Sequence, residues 1–81
     1  LNDFVLYPNP ARDYVYINKG NIQSNIYSIG VYSQLGNKVE PIINQGTEQI
    51  TIDISGLPIG LYYVKINHGN IISSLKFLKI N

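Results

Sequence analysis

Catalysis in an 81-residue chain needs groups that can exchange protons, attack or bind metal, and here they are few. His68 is the only histidine and cysteine is absent, so neither a zinc site nor a thiolate nucleophile can be assembled. His68 lies in "NHGN", between two strand-like runs, where the expected role is that of a solvated turn residue. The carboxylates are Asp3, Asp13, Glu40, Glu48 and Asp53. Paired acid–base work needs two of them converging in a cleft. Their spacing does not follow the alternate-position pattern of a calcium loop. Asp53 falls on the outward side of an alternating run, and Asp13 follows a turn where it can bond backbone amides. Solvated or capping roles are expected, with weak calcium binding at loop ends as the open alternative. Seven glycines are spread about one per turn, which provides no phosphate-cradling loop. These residues predict a protein that is not an enzyme and takes no cofactor.

Tyrosine is the one enriched aromatic, with seven copies. Tyr27 and Tyr62 are expected in the core and Tyr32 and Tyr63 outside, where exposed rings could stack on sugars. The net charge is +1, and Lys19, Lys38, Lys65, Lys76 and Lys79 form no block, so an electrostatic claim on nucleic acid is weak. No apolar run approaches the roughly 20 residues of a membrane-spanning helix. Charged residues make up 14% and apolar residues 44%, a balance that argues against disorder. The chain lacks methionine and any signal-peptide pattern, and reads as a single domain, 1–81, excised from a longer protein.

The elements that position these residues follow from period-two alternation broken by turn residues. Strands are expected over Phe4 to Tyr7, Tyr14 to Asn18, Ile26 to Ser33, Lys38 to Ile43, Gln49 to Ile54, Leu61 to Asn67 and Ile71 to Ile80. Ile50, Ile52 and Ile54 should face in, as should Tyr62, Val64 and Ile66, then Leu75 and Phe77, with Lys76 out. Pro41 inside the fourth run marks an edge or a bulge. Gly36 supplies a positive φ in "QLGN", and Pro58 presets the turn in "SGLPIG". Pro8 and Pro10 cannot donate to a ladder, which confines "YPNPAR" to an edge or a crossing between sheets, where Asn9 can bond neighbouring backbone. The expected fold class is all-β: an immunoglobulin-like antiparallel sandwich of about seven strands, with a five- or six-stranded barrel as the alternative.

Four stretches in order carry a resemblance: "YPNPARDYVYI", "IGVYSQLGNKV", "ITIDISGLPIGLYYVKI" and the ending "SLKFLKI". Together they resemble the C-terminal sorting domain of the type IX secretion system (Por secretion system) of Bacteroidetes. Ser33 departs from the Asp or Asn often found before the glycine turn, and the loop from Lys19 to Asn25 matches nothing distinctive. The resemblance implies an immunoglobulin-like domain, C-terminal to its cargo, that directs secretion through the periplasm and across the outer membrane. It implies an outer-membrane translocon and a sortase-like peptidase as partners, the peptidase removing the domain, and a cargo that ends at the cell surface or is released. Carried over to this chain, the recognition elements are Gly60, Tyr62, Lys76, Phe77 and Lys79, with the terminal strand expected near a sheet edge. Pro8, Asn9, Pro10, Gly36 and Pro58 are the structural motif residues. The competing reading is a non-catalytic adhesive or carbohydrate-binding sandwich.

Overall fold

The structure, a computed structural model, describes residues 4–20 and 26–81, and of Ile26 and Tyr27 the backbone alone. The core placement expected for Tyr27, the part assigned to Asp3 and most of the loop after Lys19 lie outside the described residues.

Among the described residues eight strands run β1 (Val5–Tyr7), β2 (Tyr14–Asn18), β3 (Ile26–Ser33), β4 (Lys38–Val39), β5 (Ile42–Gln45), β6 (Gln49–Asp53), β7 (Gly60–His68) and β8 (Ile71–Lys79). They form two four-stranded sheets, ordered β1-β2-β6-β5 and β4-β3-β7-β8, with antiparallel pairing throughout. This is the strand order of an immunoglobulin sandwich: outer-inner-inner-outer in each sheet, with the chain crossing between sheets rather than closing a barrel. The eighth strand arises at Pro41. The run Lys38 to Ile43, expected as one strand, is cut there into β4, which pairs with β3, and β5, which pairs with β6 in the opposite sheet. A proline has no N–H to continue the first ladder, so the chain leaves it and crosses.

The inward residues are those the alternation selects. Val15 and Ile17 of β2 meet Ile52 and Ile50 of β6 in register, and Val31 of β3 meets Val64 of β7. All six are fully buried, together with Ile54, Ile66 and Phe77. Each such side chain contributes about 1.5–3 kcal/mol by leaving water. Leu75 and Ile29 pack against this cluster from its margin. Lys76, between Leu75 and Phe77, stands exposed, as period two requires.

Candidate recognition surface

The β7–β8 hairpin gathers the five carried-over recognition residues. In its register Gly60 lies opposite Lys79, Tyr62 opposite Phe77 and Tyr63 opposite Lys76. The Tyr62 and Phe77 rings stack with centroids 5.4 Å apart and planes 17° apart. Both belong to the core, so neither side chain is presented to a receptor by the folded domain. The Tyr62 hydroxyl reaches back to donate to the Pro58 carbonyl at 2.6 Å. A tyrosine at the start of this strand, bonded to backbone a few residues upstream, is the tyrosine corner of immunoglobulin-like sandwiches. Burial pushes the Tyr62 phenol above its ordinary pKa, because the phenolate is poorly solvated there. Lys76 and Lys79 diverge. Lys76 is solvent-facing, whereas Lys79 is buried along its stem and turns its Nζ to the Ile80 carbonyl at 3.1 Å.

The terminal strand β8 is a sheet edge, as expected, and the "YPNPAR" segment covers part of it. The chain runs in β1 as far as Tyr7, leaves that sheet at Pro8, and re-pairs at Ala11 with β8 of the other sheet. Both the Tyr7–Pro8 and Asn9–Pro10 peptide bonds are cis. Ala11 forms a parallel bridge to Lys79: its N–H donates to the Leu78 carbonyl at 2.8 Å, and its carbonyl accepts from Ile80 N–H at 2.8 Å. Asn9 Oδ1 accepts from Leu78 N–H at 3.0 Å. Asn9 was expected to bond neighbouring backbone; its partner is instead on the last strand. The outward backbone groups of Leu78 are therefore both occupied. By antiparallel alternation those of Ile72, Ser74 and Lys76 point the same way, and no hydrogen bond among the described residues takes them up.

The turn residues gather at the same end of the sandwich. Gly36 adopts φ +91° in the β3–β4 turn, where Gly36 N–H donates to Ser33 O at 2.9 Å. Ser33 Oγ accepts from Asn37 N–H at 3.3 Å, so this serine fills the acceptor role open to Asp or Asn at that place. A shallow hollow of about 260 Å³ joins Ser33–Leu35 to the Pro58–Tyr62 turn.

Two groups weighed for chemistry prove structural. His68 is corrected: it is not a solvated turn residue but the last residue of β7, only 3% exposed. Nine residues of alternation carry it to the inward face, where its Nε2 lies 2.8 Å from Ser73 Oγ and the Phe4 ring meets it edge-on at 5.0 Å. Asp53 faces outward, and one of its oxygens accepts both the Ser55 hydroxyl (2.7 Å) and Ser55 N–H (3.0 Å). These bonds, the hydroxyl first, hold its carboxyl below the usual carboxylate pKa. Asp53 and Glu40 line a hollow of about 300 Å³ with no histidine in it. Among the described residues no group of three His, Asp or Glu side chains converges.

What the molecule offers is thus an immunoglobulin-like interaction domain, with its motif residues spent on a terminal hairpin and a clasp across it. The model of the secretion system C-terminal sorting domain family matches residues 5–81, and the chain belongs to that family. It is a C-terminal sorting signal for type IX secretion, the companion of a cargo domain that is carried across the outer membrane to the cell surface or beyond. The family is one of sorting signals and is not known for catalysis. No curated protein matches the chain. Among the described residues no helix is long and apolar enough to cross a membrane.

Proposed function

We propose that the outer-membrane translocon reads the terminal hairpin through the open part of the β8 edge. The observation that carries this is the row of outward backbone groups at Ile72, Ser74 and Lys76, adjoining the occupied Leu78. An extended receptor segment can pair with such an edge, and the exposed Lys76 side chain adds a charge that selects among partners. Gly60, Tyr62, Phe77 and Lys79 act behind that surface by fixing the strand's position. The domain makes its approach from the periplasm, and a sortase-like peptidase removes it after translocation.

The experiment is a periplasmic reporter carrying this chain at its C-terminus, in a Bacteroidetes host with and without a working type IX translocon. Translocon-dependent appearance outside the cell, with loss of about one domain's mass, is the expected result. Deleting Leu75 to Asn81 should abolish it, and Ser74→Pro, which removes one outward N–H, should reduce it sharply. Unimpaired secretion of either variant refutes the edge reading.

A further inference from the structure

The lysines, scattered in sequence, are collected by the fold. Strands β3, β4, β7 and β8 hold Lys38, Lys65, Lys76 and Lys79, four of the chain's six basic residues, and no Asp or Glu. The strands of the opposite sheet hold Asp53 and no basic residue. On the outer face of the basic sheet one register row runs straight across all four strands: Lys38, Tyr32, Tyr63, Lys76. In the adjacent row Gly30 pairs with Lys65, and Lys65 with Ser74. The Tyr32 ring lies down over Gly30, where an added Cβ would come within 2.9 Å of it, and Lys65 Nζ sits 5.3 Å from the ring centroid. A groove of about 360 Å³ beside them is lined by Tyr32, Ser33, Gln34, Gly36, Tyr63 and Lys65.

From this arrangement we propose that the outer face of the β4-β3-β7-β8 sheet binds an anionic polysaccharide. The groove reaches the lower end of the ~300–1,000 Å³ range of ligand sites, a size that suits one sugar ring. Tyrosine offers an apolar face to the C–H side of a sugar and a wet hydroxyl at its edge. Ser33, Gln34 and Ser74 supply neutral partners for hydroxyl groups. Lys65 meets the acidic group of the sugar seated in the groove. With strands spaced at ~4.8 Å, Lys38 and Lys76 stand roughly 15 Å apart on either side, a span for a chain of several sugars rather than for a single ion. The proposal uses the side chains on the face of the sheet and the edge reading uses its backbone rim; the two share Ser74 and Lys76, so the test rests on Lys65 and Tyr63, which the edge reading does not use.

The test is titration calorimetry of this chain with polygalacturonate, beside dextran, polyglutamate and oligo-dT at matched charge or mass. Polygalacturonate should bind, more weakly as salt rises, with dextran at least about tenfold weaker. Lys65→Gln should weaken binding about fivefold, the equivalent of ~1 kcal/mol for one exposed charge contact, and Lys65→Arg should restore it. Tyr63→Ala should weaken it by a similar factor with an unchanged fold by circular dichroism. Lys19→Gln, which removes the same charge away from this face, should leave binding within about twofold. No binding of polygalacturonate overturns the proposal. So does equal binding of polyglutamate or oligo-dT, or a loss in Lys19→Gln equal to that in Lys65→Gln.

Discussion

Asn9 and Leu78 stand 69 positions apart in sequence and are joined by a 3.0 Å hydrogen bond from the Leu78 amide to Asn9 Oδ1. With the Ala11–Lys79 bridge beside it, this bond ties the beginning of the domain to its end. It also divides β8 into a clasped part and a part whose outward backbone groups are taken up by no hydrogen bond among the described residues. A fully open edge strand invites pairing with any exposed strand, and covering part of it limits where a partner can enter.

Asn9→Ala should therefore act on the clasp rather than on the core. One hydrogen bond is lost at an exposed position, a destabilisation of about 0.5–1.5 kcal/mol in a denaturant melt. The local signature is sharper: amide exchange at Leu78 should accelerate while that of core amides such as Val64 follows only the global change. Asn9→Asp keeps an acceptor at the same place and should retain most of the protection. Unchanged Leu78 exchange in Asn9→Ala would remove the clasp from the account.

Tyr62 predicts a pH dependence. Its folded pKa is raised above the ordinary 10.0 by burial, so the folded state holds the phenolic proton more tightly than the unfolded chain does. Stability from this source is complete below pH 10 and is lost as pH rises through the folded pKa. Tyr62→Phe removes the hydroxyl bond to Pro58 at a cost of about 1 kcal/mol near neutrality. The same variant should lose stability less steeply than wild type above pH 10, as read by urea melts across an alkaline series. Parallel curves for the two proteins would contradict the assignment.

The parts of the fold legible in the sequence were those set by local periodicity. Ile50, Ile52 and Ile54, then Tyr62, Val64 and Ile66, alternate without interruption, and every one of them is buried. The terminal edge was anticipated as well, from the family resemblance rather than from local periodicity. What the sequence concealed depends on pairing at long range. Pro41 announced an edge or a bulge within one strand, and only the sheet order says that the run is broken there and that its two halves belong to opposite sheets. His68 looked like a loop residue because "HGN" is a turn; the strand extends one residue further than expected, and period two then turns the ring inward. Lys38, Lys65 and Lys76 are no cluster in sequence, and share a face only because β4, β3, β7 and β8 lie side by side. Of the site residues, Tyr62 and Phe77 were recognisable as motif but not as a stacked internal pair, which requires knowing the β7–β8 register.

The turn after β6 should respond to acid through Asp53. Its folded pKa is depressed below the ordinary 3.8 by the Ser55 hydroxyl and amide. The stabilisation is present above that value and is lost as pH falls through the folded pKa. Ser55→Ala removes the hydroxyl donor, which is the larger of the two contributions, so the Asp53 carboxyl should titrate higher than in wild type. Carboxyl-carbon NMR shifts followed across an acid titration measure this directly, and an unmoved midpoint would rule out the bond as the cause.

His68 and Ser73 offer the most severe test of packing at the far end of the hairpin. Ser73 is buried and its hydroxyl is the partner of His68 Nε2 at 2.8 Å. Ser73→Ala leaves a buried ring nitrogen without a partner, and such a group costs about 1–3 kcal/mol. The ring itself keeps its edge-on contact with Phe4, so the hairpin should stay folded and the loss should appear as a lower denaturation midpoint with an unchanged slope. Ser73→Thr retains the hydroxyl and should restore most of the stability, provided that the added methyl fits. A solvated His68 would instead tolerate Ser73→Ala with no change beyond about 0.5 kcal/mol, which is the range of ordinary surface substitutions.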